Sequence, residues 1–450
     1  MMPVTLLCKQ IHHLDSTNFQ VEMGNLRSFL LFICITMIHL FAINGEVAPE
    51  ETLQTIAVGG GGAPLTEPLL ATGGFQTDRL AQAYKVIQAF KKKVTYDPKN
   101  YTKTWVGKNI CRDYKGFICD VVPDLNKTTV AGVNFNNNNF NGPNLTVSEL
   151  LIGLKDLAFF HANSNNFTGI IPSDISKLRY FLELDLSNNN FSGKFPYEVL
   201  HAKKLVFLDL RFNTFLGGVP PQAFLLQLDL LFINNNNFRQ TLPRYLGFTP
   251  ALYLTLANNK FVGEIPRSIG RAANTLREVL FLSNKLNGCL PFEIGLLKKS
   301  TVFDVGFNNL TGPIPHSFQC LKKMELLNLA HNKFYNEVPE AVCSLPGLYN
   351  FTASYNYFTQ VGPQCRKLIK NGVLNVKMNC ISGLPNQRTQ ADCAKFFSNL
   401  PTCRREKSMH YVPCTRGNSA NELESSDVES TTPAPAPAPL GRSYGALTPH

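Results

Sequence analysis

Leu184-Asp185-Leu186-Ser187-Asn188-Asn189-Asn190-Phe191-Ser192-Gly193-Lys194-Phe195-Pro196 is the stretch that decides the fold. The same frame returns at 208–220, 254–266, 303–315 and 327–339, and looser copies start at Val133, Phe160, Leu231, Val279 and Phe351. Its sixth position is an asparagine throughout: Asn138, Asn165, Asn189, Asn213, Asn236, Asn259, Asn284, Asn308, Asn332 and Asn356, spaced 23 to 27 residues apart. Self-similarity at such a period is the mark of a stacked-repeat protein. Leu-x-Leu is a short strand whose alternate side chains face opposite ways. One such strand cannot hide its apolar face alone, so the copies must stack into a curved parallel sheet over a continuous core. The frame asparagine turns inward where the strand ends. Its amide has two donor hydrogens and an acceptor oxygen, enough to bond the backbone of neighbouring coils. The later Gly169-Ile170-Ile171-Pro172 and Gly263-Glu264-Ile265-Pro266 bend the chain into a convex segment that the proline opens without an N–H to satisfy.

Outward from the repeats, 75–124 reads as an N-terminal cap. Leu80, Ala83, Tyr84, Ile87 and Phe90 share one helical face, and Trp105, the only tryptophan, belongs in the cap core. The repeats occupy 125–363, and 364–414 is a Cys-rich C-terminal cap. Cys111 and Cys119 pair within a short stretch. Cys289, Cys320, Cys343, Cys365, Cys380, Cys393, Cys403 and Cys414 are disulfide cysteines whose partners spacing does not fix. Zinc is the competing use of these cysteines, but no CxxC pair occurs and the compartment is oxidising. Residues 46–74, with Gly59–62 and two prolines, read as a flexible linker. Residues 415–450 form a polar tail with one Ala-Pro run, expected to be disordered.

Arg27 followed by the apolar run 28–42 is a secretory signal, cleaved near Gly45. The 22 residues before Met23 are an N-terminal extension, and translation from Met23 would give a conventional signal. Removing 1–45 takes Cys8 and Cys34 with it and leaves an even set of cysteines, as export predicts. Seven Asn-x-Ser/Thr acceptors agree: Asn100, Asn126, Asn144, Asn166, Asn190, Asn309 and Asn350. No membrane span is expected beyond the signal. The chain has 43 basic and 32 acidic residues, net +11, which permits attraction to a polyanion such as acidic polysaccharide, pectin among them. No basic helix or compact nucleic-acid module accompanies that charge, so nucleic acid is not an expected partner.

The frame with its Gly-x-Ile-Pro half resembles the plant-type leucine-rich repeat. The expected fold class is therefore an α/β solenoid, a superhelix of about ten repeats with a curved parallel β-sheet and disulfide-bearing caps. More specific segments carry a closer resemblance. They are Trp105-Val106-Gly107 with Cys111, Gly116-Phe117-Ile118-Cys119, Gly288-Cys289-Leu290-Pro291, Thr301-Val302-Phe303-Asp304-Val305, Val342-Cys343-Ser344-Leu345-Pro346, Asn350-Phe351-Thr352 and 379–388, Asn-Cys-Ile-Ser-Gly-Leu-Pro-Asn-Gln-Arg. From about Leu80 to Cys403 the chain looks like the leucine-rich repeat extensin (LRX-type) proteins of the plant cell wall. That resemblance implies a wall location, a repeat domain that takes basic cysteine-rich peptides of the rapid-alkalinization-factor type, and a homodimer. The tail departs from the family, because it lacks the Ser-Pro-Pro-Pro-Pro array.

Positions six, four, two and one before each ladder asparagine should line the concave face. They include Phe159, His161, Glu183, Asp185, Phe207, Asp209, Arg211, Phe212, Phe232, Tyr253, Glu278, Leu280, Leu282, Asp304, Phe307, His331 and Tyr355. Strands about 4.8 Å apart would make a groove about 45 Å long. Its aromatic rings supply area and its exposed carboxylates supply steering for a basic peptide or another secreted protein. No catalytic residues, cofactor or metal site are expected. His161 and His331 stand singly, and Glu183 and Asp185 lie on one strand where a glycosidase pair would face across a cleft. An inhibitor of a secreted pectin-degrading enzyme and a structural component bound to pectin are the alternative readings.

Overall fold

In the computed structural model the described residues are 74–403 and 406–415. The signal peptide, the linker short of Gly74, Cys8, Cys34 and the tail beyond Thr415 lie outside them.

Helix α1 (Asp78–Lys91) starts at Thr77, whose hydroxyl oxygen accepts from the Leu80 N–H. Leu80, Ala83, Ile87 and Phe90 are buried, and Tyr84 packs half-buried beside them. Trp105 has no exposed surface. It sits among Phe90, Phe117, Phe135 and Phe140, and its Nε1–H donates to the Lys115 carbonyl at 2.9 Å. An antiparallel hairpin, Phe117–Val121 with Thr128–Asn134, then opens the main sheet.

That sheet has twelve strands, and every pair after the hairpin is parallel. Most strands are three residues long, such as Glu183–Asp185, Phe207–Asp209 and Tyr253–Thr255. Their middle residues stand in register, Phe160 beside Leu184 beside Leu208, and point inward without exposure. Two flanking sheets of four and five short parallel strands follow the glycine-containing half of the frame. Convex 3-10 turns open after Pro172, Pro196, Pro220, Pro266, Pro291 and Pro315. Two residues after the ladder, Phe191, Phe215 and Phe238 stack almost parallel at 6.2–6.3 Å and form an internal spine.

The asparagine ladder binds coil to coil. Asn213 Nδ2 donates to Leu186 O (2.9 Å), Leu210 O (3.2 Å) and Arg211 O (3.1 Å), and its Oδ1 accepts from Phe191 N–H at 3.0 Å. The pattern repeats from Asn165 to Asn356. Asn138 departs from the expectation. It is fully buried, yet neither its Nδ2 nor its Oδ1 finds a partner. A rung needs the carbonyl and N–H of a preceding parallel coil, and at this end the neighbour is the antiparallel hairpin. Asn379, absent from the expected set, takes a place instead. It donates to Ala353 O at 3.0 Å and accepts from Phe358 N–H at 2.9 Å. The sheet accordingly runs on to Leu374–Asn375, past residue 363.

Five disulfides join Cys111–Cys119, Cys289–Cys403, Cys320–Cys414, Cys343–Cys365 and Cys380–Cys393. The first lies in the N-terminal cap. The second and third fasten the end of the C-terminal cap back onto two earlier coils.

Candidate functional site: the concave sheet

The residue before each rung adopts a left-handed backbone in coil after coil. Asn188, Asn235 and Asn258 do so, and so do Phe212, Phe307, His331 and Tyr355, at φ 52–55°. Asparagine tolerates this region, but a ring-bearing residue there costs energy. The stack therefore offers its large side chains at positions where local propensity argues against them.

Two aromatic groups result. In the N-terminal half, the Phe159 and His161 rings lie 4.9 Å apart, His161 and Phe207 6.2 Å, and Phe207 and Phe232 6.4 Å. His161 Nε2 lies 2.8 Å from Glu183, and the Arg211 guanidinium sits 5.0 Å over Phe232. In the C-terminal half, Phe307, His331 and Tyr355 stack at 4.0 Å and 13° from one coil to the next. Burial, then the charge of Arg388, lowers the His331 pKa, which favours the neutral imidazole. Phe212 and Tyr355 are exposed, and Leu280 and Leu282 are half-buried between the groups.

The acidic residues do not form the exposed row expected of them. Asp185, Asp209 and Asp304 are buried, as is Tyr253. All three aspartates sit four residues before a rung, where a short carboxylate folds back onto the N–H two residues on. Asp185 accepts from Ser187 N–H at 3.0 Å, Asp209 from Arg211 N–H at 3.0 Å and Asp304 from Gly306 N–H at 2.9 Å. Asn328 and Asn375 do the same at this frame position. The other oxygens are also engaged: Asp185 with Asn163 Nδ2, Asp209 with Arg211 Nε at 2.8 Å, and Asp304 with Asn328 Nδ2. Desolvation raises Asp209 to about 7, with Arg211 working against it, and raises Asp304 to about 6. These carboxylates close the strand ends and are not surface charges.

Glu278 differs. It is half-buried six residues before its rung, and burial followed by the Glu325 charge raises it to about 7. Tyr349, an exposed ring three coils on, has a raised pKa from burial, then from Glu325 and Glu278. Glu278, Glu325 and Tyr349 form an electronegative corner at the starts of their strands, opposite the end that carries the C-terminal aromatic stack. Glu325 and Tyr349 lie seven residues before their rungs, a position outside the expected lining. The signal was present as a second column of the same frame.

All seven glycan acceptor asparagines are exposed. Asn190 and Asn309 open the flanking strands Asn190–Lys194 and Asn309–Gly312 and are off the concave strands. Among the described residues no cluster of three or more histidine, cysteine, aspartate or glutamate residues is placed to hold a metal. No described helix is long and apolar enough to cross a membrane.

The Leucine Rich Repeat family matches residues 181–201. Leucine-rich repeat extensin-like protein 2 of Arabidopsis thaliana is 45% identical over 74% of this chain and 42% of its own length. Leucine-rich repeat extensin-like protein 7 of the same plant is 38% identical over 84% of both chains. The chain thus spans less than half of the first relative and most of the second. Among solved structures, a TDR receptor superposes with a TM-score of 0.50 at 31% identity, over 56% of this chain and 43% of that one.

Proposed function

Because the chain belongs to the leucine-rich repeat extensin-like proteins of plants, we propose that it is an extracellular binding protein whose concave sheet captures basic, cysteine-rich signalling peptides at the cell wall. The observation that carries this reading is the C-terminal half of the sheet, where the Phe307–His331–Tyr355 stack lines one end of the strands and the Glu278–Glu325–Tyr349 corner the other. Stacked rings already held in place lose little freedom on contact, so their apolar area goes into affinity. A half-buried carboxylate with another beside it gains from an incoming lysine or arginine more than a solvated one does. Five disulfides and seven exposed glycan acceptors support an exported chain. The activity is binding, with the signal passed on by whatever the peptide or the wall engages next.

The test is titration calorimetry of the full chain with a synthetic basic, disulfide-bonded peptide. Tyr355→Ala and Glu278→Lys should each weaken binding by about tenfold or more, corresponding to about 1.4 kcal/mol. Unchanged affinity in both variants would discard the concave assignment. Charge reversal at Asp185 or Asp209 is a poor test, since those carboxylates hold the fold.

A further inference from the structure

The net charge of +11 has to reside somewhere, and the concave sheet does not carry it. In each coil the residues twelve to fifteen past the ladder asparagine lead from the convex turn back toward the next strand. From the coil of Asn189 to that of Asn308 they read His201-Ala202-Lys203-Lys204, Leu225-Leu226-Gln227-Leu228, Phe248-Thr249-Pro250-Ala251, Arg271-Ala272-Ala273-Asn274, Leu296-Leu297-Lys298-Lys299 and Cys320-Leu321-Lys322-Lys323. No aspartate or glutamate interrupts the series. Lys203, Arg271, Lys298, Lys299, Lys322 and Lys323 are exposed, and none forms an ion pair with a carboxylate among the described residues.

Equivalent positions in successive coils are neighbours, because the strands they feed pair in register. Arg271, Lys298-Lys299 and Lys322-Lys323 therefore recur about every 5 Å over three successive coils, and two coils without a cation separate them from Lys203 and Lys204. Like charges so placed repel each other and do nothing for folding. Apolar surface lies among them. Leu225 and Phe248 are exposed, Arg271 sits 4.8 Å over the Phe248 ring, and Arg244 sits 4.9 Å over Tyr245 on the adjoining turn. A row of ammonium groups interleaved with planar guanidinium and ring faces suits a chain of carboxylated rings. The cations meet the acids, arginine with a two-pronged fork, and the apolar sides of the sugars lie on the aromatic faces. Disulfides in every described cysteine place the chain where nucleic acid is not the ambient polyanion.

We propose that this basic edge is a docking track for a linear acidic polysaccharide with carboxylates on its sugar units, separate from the concave sheet. The protein would then hold a wall polymer along one side and a peptide along another.

The experiment measures binding of the full chain to polygalacturonate, to its methyl ester and to polyglutamate, each across a salt series. The parent is compared with a variant carrying Lys298→Gln, Lys299→Gln, Lys322→Gln and Lys323→Gln, and with the corresponding charge reversal to Glu. Both variants are checked by thermal melting, and these surface changes should leave the melting temperature in place. Polygalacturonate should bind in a strongly salt-weakened manner, the methyl ester should not bind, and the variants should lose about tenfold or more. Affinity for the basic peptide should stay unchanged in the same variants, which separates this track from the concave reading. Parent-like polysaccharide binding by folded variants would overturn the proposal. So would equal binding of the methyl ester, or polyglutamate bound as tightly as the sugar chain.

Discussion

At the scale of the residue, a side chain's frame position decides its work more than its type does. Glu278 and Asp209 are both acids of the sheet, and both are raised to about 7. Asp209 closes its own strand end and pairs with Arg211, whereas Glu278 is raised by burial and by Glu325 and forms no ion pair among the described residues. Its ordinary value is 4.5, so between 4.5 and about 7 the folded chain holds a proton that the unfolded chain has released. That difference favours the fold in acid and is lost as pH rises through about 7. Glu278→Gln is neutral at every pH. It should melt with the parent at pH 5 and at a higher temperature than the parent at pH 8, and equal melting at both pH values would show the carboxylate to be unstrained. The ladder gives a second contrast. Asn213→Ala leaves the Phe191 N–H without a partner and takes one of two donors from the Leu186, Leu210 and Arg211 carbonyls, so it should cost about 2 kcal/mol. Asn138→Leu keeps the volume and removes an amide with no partner, so it should be neutral or stabilising. Denaturant midpoints of the two variants check the pair.

At the scale of the element, the coils are legible in the sequence because one physical demand, hiding the inner face of a three-residue strand, repeats at a fixed interval. Leu184, Leu208 and Leu327 point inward by alternation alone. The ends are harder to read. Leu374-Asn375-Val376-Lys377-Met378-Asn379 obeys the frame, but it stands in a run of cysteines that draws attention to capping. The strand-end aspartates are hard to read for a related reason. Alternation puts Asp185, Asp209 and Asp304 on the outer side of the sheet, yet nothing in spacing says that a short carboxylate turns back to its own backbone. The Asn-for-Asp exchange at Asn328 and Asn375 was the available sign, since an amide oxygen serves such a turn as well as a carboxylate does. The disulfide Cys343–Cys365 ties the Glu340–Cys343 turn to the cap helix Pro363–Lys370. Each coil leans only on its neighbours, so Cys343→Ser with Cys365→Ser should loosen 340–379 first. Hydrogen exchange should show protection lost there and kept over 159–282. Uniform loss along the chain would mean the coils melt as one unit.

At the scale of the whole molecule, family membership and repeat architecture agree, and the division of labour among the faces follows from charge and burial. The ladder and the Phe spine hold the coils together. The flanking strands present the acceptors Asn190 and Asn309, the concave sheet presents rings with one electronegative corner and the acceptor Asn350, and the basic edge carries surplus positive charge. The central claim is that the concave sheet receives the peptide. Hydrogen exchange of the full chain with and without a saturating basic, disulfide-bonded peptide tests it most directly. Added protection should fall on 278–282, 302–307, 326–331 and 349–355, with the convex turns unchanged. Protection confined to the convex turns or the basic edge, with those four segments unaltered, would contradict the account.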